Sequence, residues 1–223
     1  MGHTPDPHWR EVARLACSAG HRISAVGPGA VDRHLDHAQG LAAALDPAAV
    51  TGLDLGTGVG LPGLALAGLR PDMSWTLLDA ALRRVRVLAE VVDEAGWADR
   101  VTVVHGRAEE FARTNRRAFD VVVARLFGSP AVTAECAAPL VGAGGQVLVS
   151  DVDGGAEITE ARWPAPALAP LGLSVGRRFS SPTVQELRSD GVLEDRFPRK
   201  PGVAARRPLW HLSDGTDEGN HSR

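Results

Sequence analysis

Leu53-Asp54-Leu55-Gly56-Thr57-Gly58-Val59-Gly60-Leu61 sets an acidic residue and three alternating glycines directly after a short apolar run. That order describes a strand entering a tight turn and then a helix, the form of a ligand-binding βα turn. Glycine lets the backbone take strained dihedrals and approach a ligand closely, and the helix start that follows offers free N–H groups. Asp54 stands where its carboxylate is expected to face whatever occupies the turn.

A dinucleotide fingerprint requires G-x-G-x-x-G. Here Leu61 holds the place of the third glycine, and Gly60 comes one residue early. A carboxylate at the end of the first strand would also repel a pyrophosphate, whereas it suits the cationic amino group and sulfonium of S-adenosylmethionine. Charge therefore favours the methyl donor, with Asp54, Gly56, Gly58 and Gly60 as candidate donor-binding residues.

Outward from the turn, strand and helix patterns alternate. A helix is expected from about Leu61, a strand over Ser74 to Leu78, and a helix over Leu82 to Ala95, where Leu82, Val85, Leu88, Ala89 and Val92 share one face and Gly96 is the stop. Strands follow at Val101 to Val104, Asp120 to Ala124 and Gln146 to Ser150, with a helix over Ala131 to Leu140. Runs such as Val121-Val122-Val123 lack polar alternation, as expected of parallel strands covered on both faces. The order reads as a doubly wound α/β sheet. Before it, helices over about His8 to Ala19 and Ala30 to Leu45 form an N-terminal cap. After it, Leu171 to Phe179 and Pro208 to Leu212 read as strands, the stretch between them carries no clear pattern, and Ser213 to Arg223 is a polar tail. The expected division is a cap over 1–47, a main domain over 48–212 and a tail over 213–223.

At 223 residues the chain can bury one full core, so one domain with one site, in a monomer, is expected. Cys17 and Cys136 lie far apart with no C-x-x-C partner, which argues against a disulfide framework or a zinc site and fits a reducing cytoplasm. The first turns carry Asp6, His8, Arg10 and Glu11, unlike a signal peptide, and no run approaches a membrane span. A formal net charge of −3 and a pI near 6.2 exclude bulk electrostatic coating of nucleic acid but leave room for a local basic patch.

Asp79 ends the second strand at the distance where an acid grips ribose hydroxyls; its alternative role is to cap the helix that begins at Leu82. His105-Gly106-Arg107-Ala108-Glu109-Glu110 follows the third strand, making Ala108 and Glu109 candidates for the adenine end of a donor. Arg125, at the carboxyl edge of an apolar strand, faces the crevice, unless it pairs with a neighbouring acid. His34 and His37 have helical spacing but no further ligands, so no metal is expected, and His34 is read as packing or hydrogen-bonding beneath the crevice. No G-x-S-x-G elbow or Walker lysine occurs. The segment from Arg196 to Gly202, followed by Arg206-Arg207, gathers Arg196, Arg199, the sole lysine Lys200, Arg206 and Arg207 around Phe197. This cluster suits phosphate contacts with the ring stacked on a base, or else a solvated charged loop.

Taken together these residues resemble the small-subunit ribosomal RNA guanine-N7 methyltransferases, the glucose-inhibited division protein B family. The resemblance spans Asp54 to Gly63, Leu77-Leu78-Asp79, Arg83-Arg84-Val85 with Leu88, Val104 to Glu110, Phe119 to Arg125 and Phe197 to Gly202. Pro62 and the terminal basic motif are its family-specific parts. It implies a class I S-adenosylmethionine-dependent methyltransferase of Rossmann-like fold, small-subunit rRNA or the ribosomal subunit as partner, and donor contacts from Gly56, Leu61, Ala108, Glu109 and Arg125. No catalytic residue is assigned.

The departures from the family pattern fall on the acceptor side. Arg22-Ile23-Ser24 stands for an Asn-Leu-Thr element, Asp36 comes one residue early for a His-x-x-Asp-Ser step with His37 in the aspartate's place, Leu126-Phe127-Gly128-Ser129-Pro130 replaces an alanine-rich segment, and Asp151-Val152-Asp153-Gly154 replaces Lys-Gly. Losing a lysine and gaining acids weakens attraction for a phosphate backbone. Three functions follow: methylation of guanine N7 in small-subunit rRNA, methylation of another RNA or a small metabolite, and a non-catalytic ribosome-assembly role.

Overall fold

The computed structural model describes residues 4–22, 31–150, 160 and 162–211. Within them lie α1 (Trp9–Arg22), α2 (Val31–Ala42), β1 (Thr51–Leu55), α3 (Gly63–Leu69), β2 (Ser74–Asp79), α4 (Leu82–Glu94), β3 (Val101–His105), α5 (Ala108–Thr114), β4 (Phe119–Arg125), α6 (Pro130–Ala137), β5 (Val141–Ser150), α7 (Ala165–Leu168), β6 (Leu171–Ser180), β7 (Thr183–Leu193) and α8 (Val203–Arg206). The strands form one sheet in the order β3-β2-β1-β4-β5-β7-β6. Strands β1 to β5 pair in parallel, and β7 runs antiparallel between β5 and β6.

Successive side chains of a strand point to opposite faces, which explains the apolar runs. Val121 and Val123 join Leu77 and Leu148 in a core beneath α1 to α4, while Val122 and Ala124 join Leu53, Leu78 and Val147 in a second core beneath α5 to α8. The N-terminal helices complete the first of these cores: Trp9, Ala13, Leu35, Ala38 and Leu41 are buried in it with Leu64, Leu88 and Trp97. At the opposite end of the sheet from the glycine turn, Asp120 accepts hydrogen bonds from the Val50 and Thr51 N–H groups at 3.0 and 2.9 Å and from Thr51 Oγ1 at 2.9 Å, tying β1 to β4.

The expected elements from α1 to β6 are present with shifted ends. Helix α3 starts at Gly63 rather than Leu61, and α6 stops at Ala137 rather than running to Leu140. Strand β5 starts at Val141 because the glycine-rich stretch before Gln146 is taken up by a register shift against β4. The patternless stretch forms β7, whose Val184, Leu187 and Leu193 are buried beside polar Gln185 and Glu186. Those buried polar residues hide the apolar alternation. The expected strand at Pro208 to Leu212 does not form over its described part: Trp210 is pinned instead by its indole N–H on the Arg162 carbonyl at 3.1 Å and by an edge contact with Trp163. Ile23-Ser24, Ala30, the acidic replacement Asp151 to Gly154, Leu212 and the polar tail lie outside the described residues.

Candidate functional site

The chain leaves β1 for β2 and β3 on one side and returns to β4 on the other, so the carboxyl ends of β1 and β4 flank the reversal point of the sheet. Ligands of open α/β sheets bind there. Gly56, Gly58 and Gly60 have φ of 73°, 62° and 96°, a left-handed path that other residues adopt only with strain. The turn is fixed from beside and within: Gly56 and Thr57 N–H both donate to the Leu78 carbonyl at 2.9 Å, and Gly60 N–H donates to that of Thr57 at 2.9 Å. Among the described residues nothing lies within 4 Å of where a side chain on Gly58 would begin, so the turn presents bare backbone there.

Asp54 occupies a different place from the one expected. Its carboxylate lies under the turn, where Oδ2 accepts from Thr57 Oγ1 at 2.7 Å and from Gly63 N–H at 2.8 Å, with 1 % of the residue exposed. Gly63 must be glycine because a Cβ there would sit 2.5 Å from Asp54 Cβ. The acid thus shapes the turn and the first residue of α3 through these two hydrogen bonds. Burial raises its pKa from 3.8 to about 6, against the hydrogen bonds from Thr57 and Gly63 and the more distant Arg125 charge. Between those two values the folded protein holds a proton that the unfolded chain has released, so this group's contribution to stability falls as pH rises from about 4 to about 6. The fall is about 3 kcal/mol. Asp54→Asn is expected to remove that component. The difference between the urea stability profiles of variant and wild type from pH 4 to 7 should carry it, and parallel profiles would refute the assignment.

Asp79 ties the end of β2 to backbone on two sides. Oδ2 accepts from Gly58 N–H at 2.8 Å, Oδ1 accepts from Ala81 N–H at 2.7 Å at the start of α4, and Arg84 lies 3.5 Å from Oδ2. The carboxylate therefore bridges the glycine turn to the β2 edge and forms the wall of a crevice of about 90 Å³ shared with Gly56, Ala108, Glu109 and Phe127. A carboxylate has about four acceptor positions, so hydroxyl groups can join the two backbone donors.

Glu109 lines the crevice with Arg107, and its carboxylate is engaged internally: Oε1 accepts from Gly202 N–H at 2.7 Å, and Oε2 is 3.7 Å from Arg107. Arg125 turns to a histidine rather than to an acid. Its Nη2 donates to His34 Nδ1 at 2.9 Å, which fixes Nδ1 as the lone-pair nitrogen of the ring. Burial first and the Arg125 charge second lower the His34 pKa, keeping the imidazole neutral for this contact. One turn on, His37 Nε2 meets Ser150 Oγ at 2.8 Å. The pair of histidines thus docks α2 onto the ends of β4 and β5, and no metal-binding group of three ligands occurs among the described residues. Leu61 packs at the margin of the first core.

The basic cluster is more divided than its sequence suggests. Phe197 is 1 % exposed in the second core, so its ring is not available to stack on a base. Arg199 grips the buried Glu135 of α6 with two guanidinium nitrogens, Nε at 2.6 Å, and also donates to the Arg207 carbonyl at 2.8 Å. A cation so engaged is a structural tie and is withdrawn from the phosphate-contacting set. Lys200, Arg206 and Arg207 are exposed, and Arg196 pairs with Glu194 at 2.7 Å while lying over the Phe197 ring. Glu135 and Phe127 escape a reading of the sequence because neither belongs to a motif; only the departure at 126–130 marks the second.

Comparisons with known proteins agree with this geometry. The sequence family described as GidB, rRNA small subunit methyltransferase G, matches residues 28–159. Proteins named ribosomal RNA small subunit methyltransferase G include one from Clostridium novyi, 34 % identical over 167 residues and covering 70 % of this chain and 68 % of that one. Another, from Kineococcus radiotolerans, is 35 % identical over 206 residues and covers 87 % and 80 %. Among solved structures, a cofactor-bound protein from MTB aligns with a TM-score of 0.55 at 21 % identity over 81 % of this chain and 91 % of its own. A methyltransferase from Geobacter sulfurreducens aligns at 0.53 and 13 % identity over 79 % and 88 %. At such identities these two show the fold alone, an α/β Rossmann-like methyltransferase fold. The turn at the sheet's reversal point, the acid at the end of β2 and the sequence match together show that this chain belongs to the GidB family, the rRNA small subunit methyltransferases G.

Proposed function

We propose that the chain uses S-adenosylmethionine to methylate N7 of a guanine in small-subunit rRNA, within one unit in which residues 1–47 cap a methyltransferase core. The observation that carries this reading is the left-handed Gly56–Gly60 turn held open by the Asp79 carboxylate at the sheet's reversal point, in a chain of this family. The residues fit the donor: bare backbone at Gly58, an acid at Asp79 for ribose hydroxyls, and Ala108 beyond it for the purine. When bound, the donor supplies an electrophilic methyl group on a sulfonium.

The chain's own work is to bind and align. Guanine N7 presents an in-plane lone pair and carries no proton in the neutral base, so no side chain has to act as a general base. Orientation of two reactants can contribute on the order of 7 to 11 kcal/mol. Gly56, Gly58, Gly60 and Leu61 would frame the donor, Asp79 would fix its ribose, and Arg125, oriented by His34, would set the charge at the β4 edge. Asp54 supports the turn from below. On the RNA side, Arg196, Lys200, Arg206 and Arg207 would meet phosphates.

Two measurements test this. Methyl transfer to undermethylated small subunits, run beside isolated RNA and a metabolite pool, should label the subunits; labelling of another arm alone would favour a paralogue with a different acceptor, which the changed Leu126-Phe127 segment makes worth including. Replacing Lys200 and Arg206 by alanine should lower the slope of log affinity for rRNA against log salt by about 0.7 for each phosphate that is no longer neutralised. Donor affinity should stay unchanged, and an unaltered salt slope would remove these residues from the RNA surface.

A further inference from the structure

Strand β4 ends in Arg125, and the chain then turns through Leu126 in a left-handed conformation, φ 54°, with 71 % of that residue exposed. Such a backbone is costly for leucine and persists where surrounding structure holds it; strained positions cluster at functional sites. The turn delivers Phe127 onto the glycine loop. A Cβ on Gly56 would lie 2.6 Å from the ring's Cδ2, so ring and loop are in direct contact. On one side Phe127 lines the crevice that contains Asp79 and Ala108. On the other it lines a recess of about 60 Å³ with Leu126, Gly128, Ser150 and Arg162. Phe127 thus borders both.

The order β3-β2-β1-β4-β5 gives the two sides different tasks. A donor held by the β1 turn, Asp79 of β2 and the loop after β3 occupies the edges on one side of the reversal point. An acceptor then approaches over the carboxyl ends of β4 and β5, where the recess lies, and meets the donor beside Phe127. A recess of this size takes the edge of a ring rather than a whole nucleoside. It offers an aromatic wall, an apolar lip at Leu126 and the Ser150 hydroxyl already oriented by His37.

Resting on the methyltransferase reading above, we propose that Phe127 is the stacking platform for the acceptor purine, and that the recess between the ends of β4 and β5 receives the edge of that base. Stacking on an aromatic side chain suits this task because it fixes the plane of the base, and with it the direction of the N7 lone pair, while leaving the reacting edge uncovered.

The test separates the platform from both the donor site and the parent reading. At saturating donor, Phe127→Ala should reduce methyl transfer to undermethylated small subunits about tenfold or more. Phe127→Leu, which keeps an apolar wall without a π face, should fall similarly, and Phe127→Trp should retain most of the rate. Because the ring also borders the donor crevice, binding of the demethylated donor by calorimetry should weaken in Phe127→Ala and Phe127→Leu, but by at least about threefold less than turnover falls, and measurable binding also reports that the variants are folded. In parallel, saturation-transfer NMR on the full chain, with guanosine monophosphate and the demethylated donor present, should show transfer to the guanine H8 proton that Phe127→Ala abolishes. Donor affinity falling in step with turnover would assign the ring to the donor and overturn the proposal. So would full activity in Phe127→Leu, or no transfer to H8 in the wild type. Wild-type transfer to H8 that is lost in Phe127→Ala, combined with no methylation of small subunits, would leave the platform standing and overturn the rRNA assignment alone.

Discussion

Arg199→Ala is expected to destabilise the protein by about 3 kcal/mol or more, because it strands the Glu135 carboxylate. That side chain is 3 % exposed and receives two guanidinium nitrogens, while Arg199 itself is 22 % exposed. Removing one member of such a pair leaves a buried charge with neither water nor counterion. For a domain of this size the loss corresponds to a melting temperature lower by roughly 6 to 12 °C. Replacing both members, Glu135→Leu with Arg199→Met, should recover most of it, because no uncompensated charge remains. Urea midpoints for the two single variants and the double variant check this directly. Singles that each lose under 1 kcal/mol, or that add without coupling, would show a solvated pair. The same experiment distinguishes Arg199 from its neighbour Lys200, whose replacement should leave the midpoint within about 0.5 kcal/mol.

Asp79→Ala should weaken binding of S-adenosylmethionine and of its demethylated product by roughly 10- to 150-fold in calorimetry, the range for hydrogen bonds to a charged group. The carboxylate also receives Gly58 and Ala81 N–H groups, so the alanine variant is expected to loosen the turn as well. Asp79→Asn, which keeps one acceptor oxygen on that wall, should restore much of the thermal stability and little of the affinity. Unchanged donor affinity in Asp79→Ala would end its ribose role, whatever the melt shows.

How much of the fold is legible in the sequence depends on whether the signal is local. The strands from β1 to β4 and the helix α4 carry apolar spacing, glycine stops and turn residues within a dozen positions, and they fold where that spacing places them. Strand β7 escapes because Gln185 and Glu186 are buried in the sheet and satisfied from neighbouring strands, Gln185 by the Gly176 and Arg177 carbonyls and Glu186 by Gln146 and Arg177. Polar residues satisfied by distant partners erase the alternation that marks a strand. In the site, the glycine turn and Asp79 are visible, whereas the burial of Asp54 under Gly63 depends on the packing of α3 against β1 and β2.

The order of residues by itself determined the doubly wound sheet, the donor-type turn and the family, because backbone conformation and hydrophobic periodicity are set by neighbours in the chain. Only the tertiary structure decided which charges are free to act. Glu109 was claimed by Gly202, Arg199 by Glu135 and Arg125 by His34, partners 93, 64 and 91 positions away. A charged side chain is withdrawn from a ligand when internal partners take up its bonding capacity, as Glu135 and the Arg207 carbonyl do for Arg199, and that competition is settled by proximity in space.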